Sequence, residues 1–281
     1  MQEPDHLPFP YCLISQIFLI MNYIFFQGLL LILTLVTLLW IISVFLRNVS
    51  IIDIFWGMGF VVVNGLYFFE SGTFTARRVL LFALVSIWGL RLSIYLAWRN
   101  IGKGEDFRYR EFRKKYGNRN YWWISYFQTF LLQGLIMWIV SLTLWGINRL
   151  SDGVSLNIID FIGVLVWTIG FIFEAGGDYQ LTKFKKSSAG KRKVLNTGLW
   201  RYTRHPNYFG DAAVWWGYGI ICMAAGGYWY LTGSVIMTLL IINVSGVALL
   251  EKTLKDQKPE YIDYISKTSS FFPWFPKKQK I

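Results

Sequence analysis

The run MNYIFFQGLLLILTLVTLLWIISVFL, Met21 to Leu46, contains no charged side chain. A helix crosses the hydrocarbon core of a bilayer with about 20 mostly apolar residues, because its backbone polar groups must all be satisfied inside the segment. This run is long enough to do so and too long for the apolar part of a cleaved leader. Glu3 and Asp5 stand where a leader carries basic residues. It reads as a first membrane span.

Six further apolar runs repeat the pattern: Ile51 to Phe69, Val79 to Trp98, Ser125 to Ile147, Ile158 to Gly176, Tyr208 to Ala225 and Trp229 to Leu250. The expected fold is all-α, a polytopic membrane bundle of about seven transmembrane helices forming a single domain over residues 1–281. Composition agrees. Only 16% of the 281 residues are charged, against about 25% in soluble domains, while 54% are hydrophobic and 19% aromatic. That balance excludes disorder, collagen, coiled coil and a disulfide scaffold. Cys12 and Cys222 alone supply neither a disulfide framework nor a four-ligand zinc site, so no metal is expected.

The net charge of +12 sits in particular loops. Basic residues cluster between the third and fourth runs (Arg99 to Arg119), between the fifth and sixth (Lys183 to Arg204), and in the tail. Lys and Arg are retained on the cytoplasmic side of membrane proteins. Seven spans put all three basic segments on one face, with the N-terminus outside and the C-terminus cytoplasmic. No polar segment is long enough for a separate basic domain, so nucleic-acid binding is excluded. Phe107 to Tyr121 mixes basic and aromatic residues, as either an interfacial helix or an ordinary basic loop does.

Ionisable residues within spans are costly and usually face the bundle interior. In this orientation Asp53, Arg91, Glu174, Asp178, Asp211 and Glu251 all fall toward the cytoplasmic half, and Asp160 alone lies near the outer end. The outer halves read as nearly all apolar or aromatic. Such a layout suits a polar, anionic ligand entering from the cytoplasm, with an apolar chamber beyond it for a lipid-like substrate. The competing reading pairs these acids with loop cations for stability. A transporter would instead spread polar residues through the full depth or break paired helices in an inverted repeat.

The stretch from Asp178 into LWRYTRHPNYFGDAAVWWG, Leu199 to Gly217, is a basic loop ending in a helix start. Pro206 fits the first helical turn, where its missing N–H is not needed. The amides of that turn, with Arg204 and His205 beside them, form a candidate phosphate seat. Lys183, Lys185, Lys191 and Arg192 add charge for a second phosphate. Asn207 and Asp211 present an amide and a carboxylate one turn apart, suited to amide or ribose hydroxyl groups.

This block resembles the membrane reductases of the steroid 5-alpha-reductase superfamily, in the branch known as domain of unknown function 1295. RNVSIIDIFWG at Arg47 to Gly57, WGLRLSIYLAWR at Trp88 to Arg99 and EYIDYISKTSSFFPWFP at Glu260 to Pro276 are similar to that branch too, so the resemblance covers most of the chain after the first span. It implies seven helices and an NADPH site opening to the cytosol, with its binding residues in 178–281. Asp178 and Lys185 resemble the acid and base that hold the cofactor. Asn207, Gly210 and Asp211 match an Asn-x-x-Gly-Glu pattern with Asp replacing Glu, and Tyr264 resembles a tyrosine at the cofactor pocket. Asn196, Tyr208, Glu251 and Tyr261 complete the candidate cofactor set. The family's buried substrate-facing Glu corresponds to Asp53, and the tyrosine that partners it has no clean match here. Glu174 stands where the steroid reductases have Asn.

The implied enzyme is an NADPH-dependent oxidoreductase acting on CH–CH groups, 3-oxo-5-alpha-steroid 4-dehydrogenase-like, that reduces a carbon–carbon double bond conjugated to a carbonyl. Asp53 is the candidate carbonyl donor, Arg91 its rival ionic partner, and Trp56 a candidate lining of the substrate chamber. The expected location is a bacterial inner membrane or the endoplasmic reticulum. The alternative is an S-adenosylmethionine-dependent membrane methyltransferase resembling isoprenylcysteine carboxyl methyltransferase, which shares the Arg-His-Pro core. The basic loop and the Asn207–Asp211 pattern favour reduction.

Overall fold

In the computed structural model the described residues are 9–187, 194–245 and 260–277, and among them there is no strand. The helices fall into two compact units, one ending at Ser155 and one beginning at Leu156. The first holds α1 (Phe9–Leu46), α2 (Ile51–Glu70), α3 (Ala76–Asn100), α4 (Phe107–Tyr116) and α5 (Asn118–Leu150). The second holds α6 (Ile158–Lys186), a 3₁₀ turn (Gly198–Arg201), α7 (Pro206–Ala224), a second 3₁₀ turn (Tyr228–Leu231), α8 (Thr232–Leu240) and α9 (Glu260–Lys267).

Five helices are long and apolar enough to cross a membrane: Tyr23–Leu46 and the whole of α2, α3, α5 and α6. They coincide with the first five runs read from the sequence. The sixth run is α7, a 19-residue helix. Asn207, Asp211 and its Gly, Tyr and Trp content hold its hydropathy below that of the other five. The seventh run is the shorter apolar helix Tyr228–Asn243 within the described residues. Glu251, the cluster 191–193 and the end of that run lie outside them.

The two faces of α6 explain how a helix of this composition sits in lipid. Ile158, Phe161, Leu165 and Ile172 point outward and are exposed, while Asp160, Gly163, Trp167, Gly170, Glu174, Gly177 and Asp178 are buried. Gly163, Gly170 and Gly177, seven residues apart, lie against α7. A Cβ added at Gly210 of α7 would stand 2.2 Å from the Glu174 nitrogen and 2.5 Å from the Gly170 carbonyl oxygen. Between apolar helices in lipid, small residues permit the close backbone approach that supplies packing energy. In the first unit α2 and α3 cross the same way at Gly57 and Gly89, where the Ser93 hydroxyl accepts from Met58 N–H at 2.8 Å.

Capping follows local sequence. Asn157 and Asp160 form a reciprocal box at the start of α6: Ile159 N–H donates to Asn157 Oδ1 and Asn157 N–H to Asp160 Oδ2, both at 2.9 Å. Asp160 is therefore a cap. Asp106 accepts from Arg108 N–H at 3.0 Å to open α4, so Phe107 to Tyr116 is a true helix, with Tyr109 buried and Phe107 exposed.

Two features depart from the sequence reading. The far half of the first unit is not purely apolar: buried Asn148 donates to Asn64 at 3.0 Å, and the Tyr67 and Ser141 hydroxyls lie 3.1 Å apart. Arg77 and Arg78, which lie just before the third apolar run, are each 1% exposed. Arg78 grips Asp152 through two bonds of 2.7 and 2.8 Å and the Asn148 carbonyl at 2.7 Å, while Arg77 donates to the Ser155 carbonyl at 2.8 Å. Their stems and hydrogen bonds tie the loop 151–155 to the start of α3.

Candidate functional site

In the first unit the reading converges on the N-terminus of α2. Asp53 Oδ2 accepts from Arg108 at 2.8 Å and Oδ1 accepts from the Tyr109 hydroxyl at 2.7 Å. Arg108 also donates to Asp106 at 2.9 Å, and Asp106 N–H donates to Ser50 Oγ at 2.7 Å, so the start of α4 is bolted onto the start of α2. Gln133 reaches the Tyr109 oxygen at 3.4 Å.

Burial and neighbouring charges set the titration of Tyr109, Arg108 and Asp106. Burial first, and then the Asp53 carboxylate, push the Tyr109 phenol up, so it holds its proton. Burial works against the Arg108 charge, but Asp53, Tyr109 and Asp106 together outweigh it and keep the guanidinium protonated. Burial raises the Asp106 carboxyl, and the Arg108 hydrogen bonds more than reverse this, leaving it below its ordinary range.

Arg91 is not the ionic partner of Asp53. It lies on α3 with its guanidinium over the Tyr95 ring at 5.2 Å, and Arg99 approaches the same ring at 5.5 Å. The four-residue spacing from Arg91 to Tyr95 favours this local contact along one helix face. Trp56 is half-buried and meets Phe60 edge-on at 5.7 Å. Tyr109 is the residue that sequence reasoning missed: it looked like one more aromatic in a basic loop.

In the second unit the Arg-His-Pro-Asn-Tyr run opens α7, with His205 as N-cap and Pro206 in the first turn. The Arg204 guanidinium donates to the Thr268 and Ile265 carbonyls at 2.6 and 3.1 Å, and Arg204 N–H donates to the Ser269 carbonyl at 2.9 Å. Thr203 Oγ1 reaches the Phe271 carbonyl at 2.8 Å, and the Tyr264 hydroxyl donates to the Trp200 carbonyl. Arg204 and Tyr264, expected at the cofactor, thus clasp the C-terminal segment onto the block. The reason is chemical: the last carbonyls of a helix lack donors, and an arginine satisfies two at once. Burial first, and Tyr261 beside it at 5.8 Å between ring centroids, push the Tyr264 phenol up.

Asp178 and Asn207 do meet. Asn207 Nδ2 donates to Asp178 Oδ1 at 3.2 Å, joining the end of α6 to the first turn of α7. Asn207 Oδ1 is buried and accepts no hydrogen bond among the described residues. Gly177 lets α7 approach, since a Cβ there would stand 3.0 Å from the Asn207 nitrogen. His205, 1% exposed, stacks on Tyr208 at 5.6 Å. Asp211 is half-buried one turn on, Tyr261 is buried, and Lys183, Lys185 and Asn196 are exposed.

Residues 39–268 match the family described as "Protein of unknown function (DUF1295)". The chain belongs to the DUF1295 family. Both halves of this geometry, from Asp53 through Asn207 to Tyr264, fall inside the matched region. A protein of Schizosaccharomyces pombe, itself described as uncharacterized, is 25% identical over 276 residues, covering 89% of this DUF1295 chain and 79% of the relative. No solved structure matches.

Proposed function

We propose that this DUF1295 protein is a membrane-embedded, NADPH-dependent reductase of a carbon–carbon double bond conjugated to a carbonyl in a lipid or steroid-like substrate. Seven spans, an outer N-terminus, a cytoplasmic C-terminus and a cofactor site facing the cytoplasm, in a bacterial inner membrane or the endoplasmic reticulum, belong to the same reading. The observation that carries it is the Tyr109–Asp53 contact at 2.7 Å. The Tyr109 phenol keeps its proton, and turning that one proton from Asp53 to a bound carbonyl oxygen lets it donate as negative charge develops there. Arg108 holds the Asp53 carboxylate in place while the phenol O–H turns from it to the substrate oxygen.

The second unit fits the cofactor through its donor set. The buried, unsatisfied Asn207 Oδ1 accepts an amide or hydroxyl proton, Asp178 anchors the Asn207 amide, and Lys183 and Lys185 offer charge to phosphate. When bound, NADPH supplies the hydride for the β-carbon of the double bond. Arg204 is left out of this assignment, because its guanidinium is engaged by α9.

The test is ligand-dependent stability of the purified protein. NADPH raises the melting temperature, NADH much less, and Asn207→Ala abolishes the NADPH shift. Stabilisation by S-adenosylmethionine alone overturns the reading in favour of a methyltransferase.

A further inference from the structure

The first unit contains a cavity of about 730 Å³ that the proposed chemistry does not use: Asp53, Trp56 and Tyr109 are not among its lining residues. Its walls come from the end of α1 (Ser43, Arg47), the segment before α4 (Glu105), α4 itself (Arg110, Arg113) and the start of α5 (Tyr121). From these residues we infer a binding site for a phosphate-bearing group, the headgroup of an anionic membrane lipid.

Charge is the first reason. Arg113 is neutralised by Glu105, which accepts two bonds from it at 2.8 Å, and its guanidinium lies over the Tyr121 ring at 4.8 Å. Arg47 and Arg110 line the cavity and are exposed, and their guanidiniums have no hydrogen-bond or ion-pair partner among the described residues. Two uncompensated guanidiniums facing one hollow select a ligand with two or more anionic or strongly accepting oxygens, as a phosphate has. The Tyr121 hydroxyl, buried in the wall, has only a weak approach to Thr129 and can donate as well.

Backbone conformation is the second. Arg47 is the one non-glycine residue with positive φ among the described residues, at 51°. It follows the last turn of α1, and Asn48 N–H closes onto the Ser43 carbonyl at 3.0 Å. A helix ending this way ordinarily has Gly at that position, because a Cβ is disfavoured there. The chain keeps a long cationic side chain where the backbone favours none.

The surroundings decide between a lipid and a soluble phosphate. Ile42, Phe45 and Leu46 on the last turns of α1 are exposed apolar residues, Phe45 at 82%. Trp122 and Trp123, at the start of α5, are also exposed, and Trp40 donates to the Trp122 carbonyl at 2.8 Å. Tryptophans at the ends of spans mark headgroup depth. Acyl chains lying along α1 place the headgroup at the cavity mouth. The inference does not rest on the reductase reading.

The experiment compares the full-length detergent-purified protein with Arg47→Gly and with Arg47→Gly/Arg110→Ala, using dioctanoyl phosphatidylglycerol, dioctanoyl phosphatidylcholine and inorganic phosphate. Arg47→Gly relieves the backbone, so the unliganded variant melts no lower than the parent. Phosphatidylglycerol stabilises the parent, phosphatidylcholine does not, and binding weakens about tenfold for each guanidinium removed. Equal effects of the two lipids, or unchanged binding by the double variant, overturn the site. A shift reproduced by inorganic phosphate at the lipid's concentration overturns the lipid as its source. Loss of the NADPH shift in the variants overturns it too, since the cavity then belongs to the cofactor.

Discussion

Arg204 Nη1 lies 2.6 Å from the Thr268 carbonyl oxygen, so the block that opens α7 also closes α9. Three segments depend on that bond: the 3₁₀ turn at Gly198–Arg201, the first turn of α7, and the strap Thr268–Lys277. Arg204→Ala removes a buried charged donor from two carbonyls and is expected to cost about 2–3 kcal/mol. Arg204→Lys rescues little, because an ammonium does not reproduce the planar fork. Limited proteolysis of the segment 260–277, faster in both variants than in the parent, checks this.

Tyr109→Phe removes one oxygen atom from the first-unit network. Turnover is expected to fall by about 10²–10³, the usual consequence of losing a donor to a developing oxyanion. Asp53→Asn has a similar effect. Neither change alters the NADPH-induced melting shift, because both residues are assigned to the substrate. Steady-state kinetics alongside thermal shifts separate the two effects.

Acid sensitivity is expected at Asp152. The Arg78 hydrogen bonds hold its carboxyl below the ordinary value of 3.8, so the folded state favours the ionised form. A depressed carboxylate contributes stability above its unfolded value and loses it as pH falls through the folded value. The parent therefore loses stability below about pH 4, and Asp152→Asn is less stable at neutral pH with a flatter acid limb. Melting temperatures from pH 3 to 7 show the difference.

Gly210 and Gly176 make a matched pair. A Cβ at Gly210 meets Glu174 backbone at 2.2 Å, whereas one at Gly176 meets only the movable end of Leu199 at 2.9 Å. Gly210→Ala is expected to cost about 1–3 kcal/mol or prevent folding, and Gly176→Ala to be tolerated. The monodisperse fraction on size exclusion distinguishes them.

Length and hydropathy were enough to locate the spanning helices, and the cost of ionised groups in lipid was enough to turn Glu174 and Asp178 inward. Asp178 and Asn207 were each legible as polar groups near helix ends, but their contact was not, since the sequence pairs Asp178 with Lys185 and Asn207 with Asp211. Arg204 was not, since its acceptors are main-chain carbonyls more than sixty positions away, which leave no trace in residue identity. Tyr109 was hidden for a related reason: only the fold of α4 onto α2 distinguishes it from Tyr116 or Phe107. The close approach at Gly163, Gly170 and Gly177 was not legible either, because the meaning of those glycines depends on which helix lies opposite.

The division of α6 into an apolar face and a face bearing Asp160, Glu174 and Asp178 has a consequence for biosynthesis. Alone in a bilayer this helix would turn the Glu174 carboxylate and a row of bare glycines toward acyl chains, and an ionisable residue within a lone span is costly. Stable partitioning of α6 is therefore expected to improve once α7 is present to cover that face. Truncating translation after Lys186 should strand the nascent α6 at the insertion machinery, and adding residues through Ala224 should release both as a hairpin.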